Sequence, residues 1–150
     1  MNKRLFIPAV VAAGFLLVFT SLAPAQRNAQ TDVADKKATF ATIAKTDKLY
    51  TDAIDAHELD KAKHLEGQKG SFRGTVTKVF APNSGSVLIL NFDENYKTAL
   101  TAALRKSDFT SFPDLNQLLG KEIVVSGKFQ DFHGATEILL TDKKQISVVQ

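Results

Sequence analysis

Gly70-Ser71-Phe72-Arg73-Gly74-Thr75-Val76-Thr77-Lys78-Val79-Phe80, the turn Pro82-Asn83-Ser84-Gly85, and Ser86-Val87-Leu88-Ile89-Leu90-Asn91-Phe92 follow one another in the middle of this 150-residue chain. In the first run Phe72, Gly74 and Val76 alternate with Arg73, Thr75 and Thr77, the period of two that sends alternate side chains to opposite faces of a β-strand. The alternation slips near Lys78, as it does in a strand with a bulge. The last run is apolar at every position from Val87 to Leu90. One face of such a strand enters a core, and the other needs a helix, a loop or a partner over it. With the turn between them, the two runs predict a β-hairpin.

The pattern continues on both sides. Leu100, Ala102 and Leu104 alternate with Thr101, Ala103 and Arg105 as a third strand after Asp93-Glu94-Asn95. Ser107 to Leu119, with Phe109, Phe112, Pro113, Leu115 and Leu118, reads as a compact helical insert. Glu122 to Phe132 is a long fourth strand bending at Gly127, His133-Gly134 a tight turn, Ala135 to Thr141 a fifth strand, and Ile146 to Val149 a return to the sheet edge. Upstream, Asp55-Ala56-His57-Glu58 has the form of a capping box, and Leu59, Ala62 and Leu65 recur every third residue. This predicts a short helix within Thr51 to Glu66 that caps something larger. Ala38 to Tyr50 is a short helix or an irregular lead-in, and Gln26 to about Lys37 is polar enough for a flexible tether. The expected organisation is a flexible polar linker over 26–50 and a domain with a leading helix over 51–150.

Met1-Asn2-Lys3-Arg4 is basic, Leu5 to Phe19 is uncharged and mostly apolar, and Ala23-Pro24-Ala25 is a small-x-small cleavage pattern, so residues 1–25 read as a secretory signal peptide. A retained anchor is the rival, but an apolar core of 15 residues containing Pro8 is short of the ~20 that span a bilayer. The expectation is a secreted or periplasmic protein with no membrane association after cleavage. The formal charge of +3 then loses Lys3 and Arg4, leaving seventeen basic against sixteen acidic side chains. The absence of cysteine excludes disulfides, thiolate nucleophiles and Cys-ligated metals.

Five strands with a helical insert between the third and fourth suit a small closed barrel, which removes exposed strand edges. Gly74-Thr75-Val76, Val87 to Phe92, Phe112-Pro113-Asp114-Leu115, Leu119 to Gly127, Gly134 to Ile138 and Gln145-Ile146 resemble the OB-fold modules of exported bacterial proteins, some of which accompany secreted nucleases. The resemblance covers about residues 57–149 and implies a mainly β, five-stranded OB-type closed barrel with a short N-terminal helix. It also implies oligonucleotide or oligosaccharide binding as the default expectation, without a catalytic signature.

A strand-binding face needs cations for phosphates and aromatic platforms for bases. The candidates are Phe80, Tyr96, Lys97, Arg105, Lys106, Lys128 and Phe132, chosen from a wider set with Arg73, Lys78 and His133. Arg73, Arg105 and Lys128 are equally the ordinary solvated positions of alternating strands. His57, Asp60 and His64 are spaced as one helix face would need for a metal, but charged helices carry such triplets by chance, and Asp93-Glu94-Asn95 lacks the spaced ligands of a calcium loop. No Gly-x-Ser-x-Gly, His-Glu-x-x-His or phosphate-cradling glycine loop occurs. The expectation is a non-enzymatic module without cofactor or metal that binds single-stranded nucleic acid. The alternative is a protein-interaction or structural module that meets another exported protein through residues 87–92.

Overall fold

The computed structural model describes residues 27–150; the expected signal peptide, 1–25, lies outside the described residues. The strands are β1 (Ala41–Ile43), β2 (Ile54–Asp55), β3 (Lys69–Thr75), β4 (Lys78–Phe80), β5 (Val87–Asn91), β6 (Thr101–Arg105), β7 (Glu122–Phe132), β8 (Ala135–Leu140) and β9 (Ile146–Val149). Two short helices, α1 (Lys48–Thr51) and α2 (Leu59–His64), lie in the first half. Among the described residues no helix is long and apolar enough to cross a membrane.

The ladders run antiparallel from β4 to β5 to β6, parallel from β6 to β8, and antiparallel from β8 to β7 to β3. Only Val76 and Thr77 separate β3 from β4, so the path of neighbours begins and ends on one stretch of chain. The sheet curls into a half-barrel with OB-like strand order. The turning point is the phase slip in the sequence: Val76 and Val79 are both buried, while Thr77 and Lys78 between them are exposed. The backbone changes partner there. Val76 N–H donates to the Lys121 carbonyl at 3.0 Å, and Thr77 N–H donates to the Asn91 carbonyl at 2.9 Å.

β7 makes a second turn of the same kind, pairing with β3 up to Lys128 and with β8 from Phe129. Gly127 sits at the crossover because a Cβ there would stand 2.6 Å from Ile138 Cγ2 and 2.8 Å from Gln145 Nε2. The β7–β8 connection is His133-Gly134 with φ of 54° and 85°, positive at both central positions as a type I′ hairpin turn requires. Inside the curl, Phe72 packs edge-on against Phe92 with ring centroids 5.0 Å apart, and against Phe129 at 6.4 Å. Leu88, Leu90, Leu104, Ile123 and Ile138 complete the buried centre.

Three expectations change. Residues 27–50 are docked and not a free tether: Gln30 is fully buried, its Nε2 donating to the Pro113 carbonyl at 2.8 Å and its Oε1 accepting from Leu115 N–H at 3.0 Å, while β1 pairs in parallel with β9. A buried amide that satisfies two loop backbone groups is stable despite its polarity, which composition cannot reveal. The leading helix, expected within Thr51 to Glu66, narrows to α2, which carries Leu59 and Ala62, and β2 precedes it. Asp55 does not cap α2; its Oδ1 accepts from His57 N–H, and Glu58 Oε2 accepts from Asp55 N–H, both at 3.0 Å, forming a turn ahead of the helix. The insert is two 3₁₀ turns, Lys106–Ser111 and Leu115–Leu118, on either side of Pro113. Proline disfavours helix in the residue before it and supplies no N–H, so the segment cannot run as one α-helix.

Candidate nucleic-acid interface

Leu88, Leu90, Ala102, Leu104, Ile138 and Leu140 turn inward, so the alternate residues of β4, β5, β6 and β8 form an outward face. Register aligns them in rows. Phe80 stands opposite Ile89, Ile89 opposite Ala103 and Ala103 opposite Leu139, an apolar row across four strands. Beside it lies a polar row of Lys78, Asn91, Thr101, Glu137 and Gln130. Val87 and Ile89, the residues expected to need a cover, are half-buried here.

The candidates divide between the two ends of this face. Phe80 ends β4, and Arg105 ends β6 at the same end, followed by Lys106, whose N–H donates to the Ser86 carbonyl at 2.9 Å. β6 and β8 run parallel and in register, so the connections that precede them share the other end. That end carries Tyr96 and Lys97, before β6, and Phe132, before the β7–β8 turn. Phe80, Tyr96 and Phe132 are the exposed aromatic rings among the described residues, at 39%, 59% and 53%. Each has a polar companion: Lys78 Nζ lies 5.3 Å from the Phe80 ring, Lys97 Nζ 5.9 Å from the Tyr96 ring, and the His133 ring 4.5 Å from Phe132. Arg73, from the wider set, is folded away, its guanidinium over Tyr50 at 4.9 Å and donating to the Tyr50 and Ala53 carbonyls.

The loop that carries Tyr96 is anchored from behind. His57 places Nδ1 2.9 Å from Asp55 Oδ1 and Nε2 3.1 Å from Asp93 Oδ2, bridging the turn before α2 to the start of this loop. Its hydrogen bonds to Asp55, and then to Asp93, raise the imidazole pKa above its ordinary value. The Asp55 carboxyl is lowered, first by the His57 backbone N–H, and the Asp93 carboxyl is lowered, first by the Asn95 N–H and then by the His57 ring. His57 precedes α2 and spends both ring nitrogens on Asp55 and Asp93, and His64 Nδ1 lies 2.6 Å from the Asp60 carbonyl. The spacing that suggested one metal-binding helix face gathers no such face. Among the described residues no group of three or more His, Asp or Glu is placed to hold a metal.

Glu137, in the polar row, is 6% exposed and accepts from Gln130 Nε2 at 3.0 Å. Burial raises its carboxyl pKa, and the Gln130 bond and the Arg105 charge oppose the rise without cancelling it.

Lys128 belongs to a different surface. It lines an open groove of about 1050 Å³ between α1, β3, β7 and the 3₁₀ turn Lys143–Gln145, together with Lys48, Lys69 and Lys144. Those three lysines were not picked out in sequence. Lys69 and Lys128 are 59 positions apart and meet only through the β3–β7 register, so no local pattern could have joined them. Gln130 and Leu139, members of the two rows above, also line this groove, so groove and face are continuous.

The chain matches no protein-family model and no curated protein. Among solved structures, it is similar to an aspartyl tRNA synthetase from Entamoeba histolytica, with a TM-score of 0.48 and 15% identity over 74% of this chain and 25% of that one. It is similar also to the hypothetical protein ygiW from E. coli, with a TM-score of 0.40 and 13% identity over 75% of this chain and 99% of that one.

Proposed function

We propose that this chain is an exported, non-catalytic OB-type module that holds single-stranded nucleic acid across the outward face of β4, β5 and β6, in the periplasm or outside the cell. In this reading β3 and β4 are halves of one bent strand, and five strands close into a barrel; the return of the ladder through β7 to β3 supports closure.

The observation that carries the reading is the placement of the exposed rings. Phe80, Tyr96 and Phe132 all rim one sheet face, and each has a lysine or an imidazole against it. Aromatic platforms beside cations accept any base and its phosphate, and each stacked base contributes about 1–3 kcal/mol. With Lys3 and Arg4 removed, the net charge of +1 supplies little long-range attraction, so binding is modest and falls steeply with salt.

The test is a titration of labelled single-stranded DNA and RNA into the purified protein at two salt concentrations. Saturable binding that weakens with salt and is lost in Tyr96→Ala/Lys97→Ala supports the proposal. No binding at micromolar protein in low salt overturns it, and recovery of a defined exported protein on the β5 face would favour the protein-interaction alternative.

A further inference from the structure

Lys69 and Lys128 stand directly opposite one another in the antiparallel β3–β7 ladder. Directly opposed residues hold their Cβ atoms ~5 Å apart, and like charges in that position destabilise a sheet. Among the described residues neither lysine makes an ion pair, and neither does Lys144, which lines the same groove. Lys48 is there too, but Asp52 holds it at 2.8 Å. The carboxylate of Asp142 is turned into its own loop, where it accepts from Lys144 N–H at 2.9 Å. On the same strand, Ser126 sits opposite Ser71, and its buried Oγ has no hydrogen-bond partner.

An opposed lysine pair and a third lysine outside any ion pair, gathered along one open groove, form a set of cationic donors. We propose that this groove is a binding site for a phosphate chain, with Lys69, Lys128 and Lys144 as its cationic contacts. The site lies on β3 and β7, away from the Phe80 end of the face. Its role as the path of a nucleic-acid backbone rests on the function proposed above. Leu139 makes the link, because it ends the apolar row from Phe80 and also lines the groove. Strand spacing of about 4.8 Å puts Leu139 roughly 14 Å from Phe80, so a strand stacked on that row reaches the groove within a few nucleotides.

The experiment compares the intact protein with Lys69→Gln/Lys128→Gln/Lys144→Gln and with a charge-matched control, Lys36→Gln/Lys37→Gln/Lys121→Gln, whose lysines are exposed and outside the groove. Each is titrated with labelled dT12 and with inorganic polyphosphate of similar length over a range of salt. Three lost contacts at about 0.7 each lower the slope of log K against log salt by about 2 in the groove variant, and the control leaves it nearly unchanged. Equal slopes in wild type and groove variant, or an equal fall in the control, overturn the groove. If polyphosphate binds and depends on the groove lysines while dT12 does not bind at all, the phosphate site stands and the nucleic-acid function falls. If neither ligand binds the intact protein, both fall.

Discussion

Gln30 spends both ends of its side-chain amide on one loop, donating to the Pro113 carbonyl at 2.8 Å and accepting from the Leu115 N–H at 3.0 Å. It is fully buried, and the loop it holds contains Phe112 and Leu115 of the core. Gln30→Ala removes both partners and leaves a buried donor and a buried acceptor unpaired. The expected loss is about 1–3 kcal/mol in a urea denaturation curve. A variant as stable as wild type would mean that residues 27–37 are not integral to the fold.

Gly127→Ala places a methyl group 2.6 Å from Ile138 Cγ2 and 2.8 Å from Gln145 Nε2, where β7 passes from one neighbour to the other. Overpacking of this kind costs about 1–3 kcal/mol. In a double-mutant cycle with Ile138→Ala, the combined loss should be smaller than the sum of the two single losses, because the second substitution vacates the colliding methyl. Additive losses would locate the strain elsewhere.

The bridge made by His57 gives stability a pH dependence whose sign can be worked out. Its folded pKa is raised above the ordinary histidine value of 6.5, so its contribution is fully present below about 6.5 and is lost as pH rises through the higher folded value. Asp55 and Asp93 are lowered below 3.8, so their contribution is present above that value and disappears as pH falls through the folded ones. Melting temperature should therefore decline in wild type as pH rises from the ordinary histidine pKa through the higher folded one, and this decline should be absent in His57→Gln. The effect is small because the imidazole is half-exposed to screening solvent. NMR titration of the ring checks the direction independently, and an unshifted or lowered value would contradict the bridge.

Glu137 behaves in the opposite sense. Burial raises its folded pKa above 4.5, so ionising it on the way to neutral pH destabilises the folded chain. Glu137→Gln should be more stable than wild type at pH 7, and the two should converge below pH 4. Removing a negative charge from the polar row should also tighten binding of any polyanion on that face, read as a lower Kd for dT12. A variant that is less stable at pH 7 would show that the carboxylate is required for its bond from Gln130.

Phe80→Ala should weaken single-strand binding by about 1–3 kcal/mol, roughly 5- to 150-fold, if one base stacks there. Its ring is 39% exposed, so the melting temperature should change little. A large loss of stability with unchanged affinity would assign the ring to packing.

Some of this was visible before folding and some was not, for identifiable reasons. The break in alternation at Thr77 and Lys78 is local, and it falls where the chain leaves β7 for β5. Phe109, Phe112, Leu115 and Leu118 lie at intervals of three, the period of the 3₁₀ turns that bury them, although the expectation drawn from them was only of a helical insert. Tyr96 and Phe132 are candidates by residue type, yet their common end of the sheet follows from the parallel β6–β8 register. Gln30 and Lys69 carried no local signal. The partners of Gln30 are 83 and 85 positions away, and the charge of Lys69 acquires meaning only opposite Lys128.

The shortest strands settle how the molecule treats its neighbours. β1 lies along β9 for three residues and β2 along β3 for two, in parallel, so the rim of the sheet presents only stubs of free backbone to another molecule. Without cysteine the chain has no covalent lock to fall back on. Unpairing β1 from β9 would free the β9 backbone to pair with another copy of the chain, a change that light scattering would register.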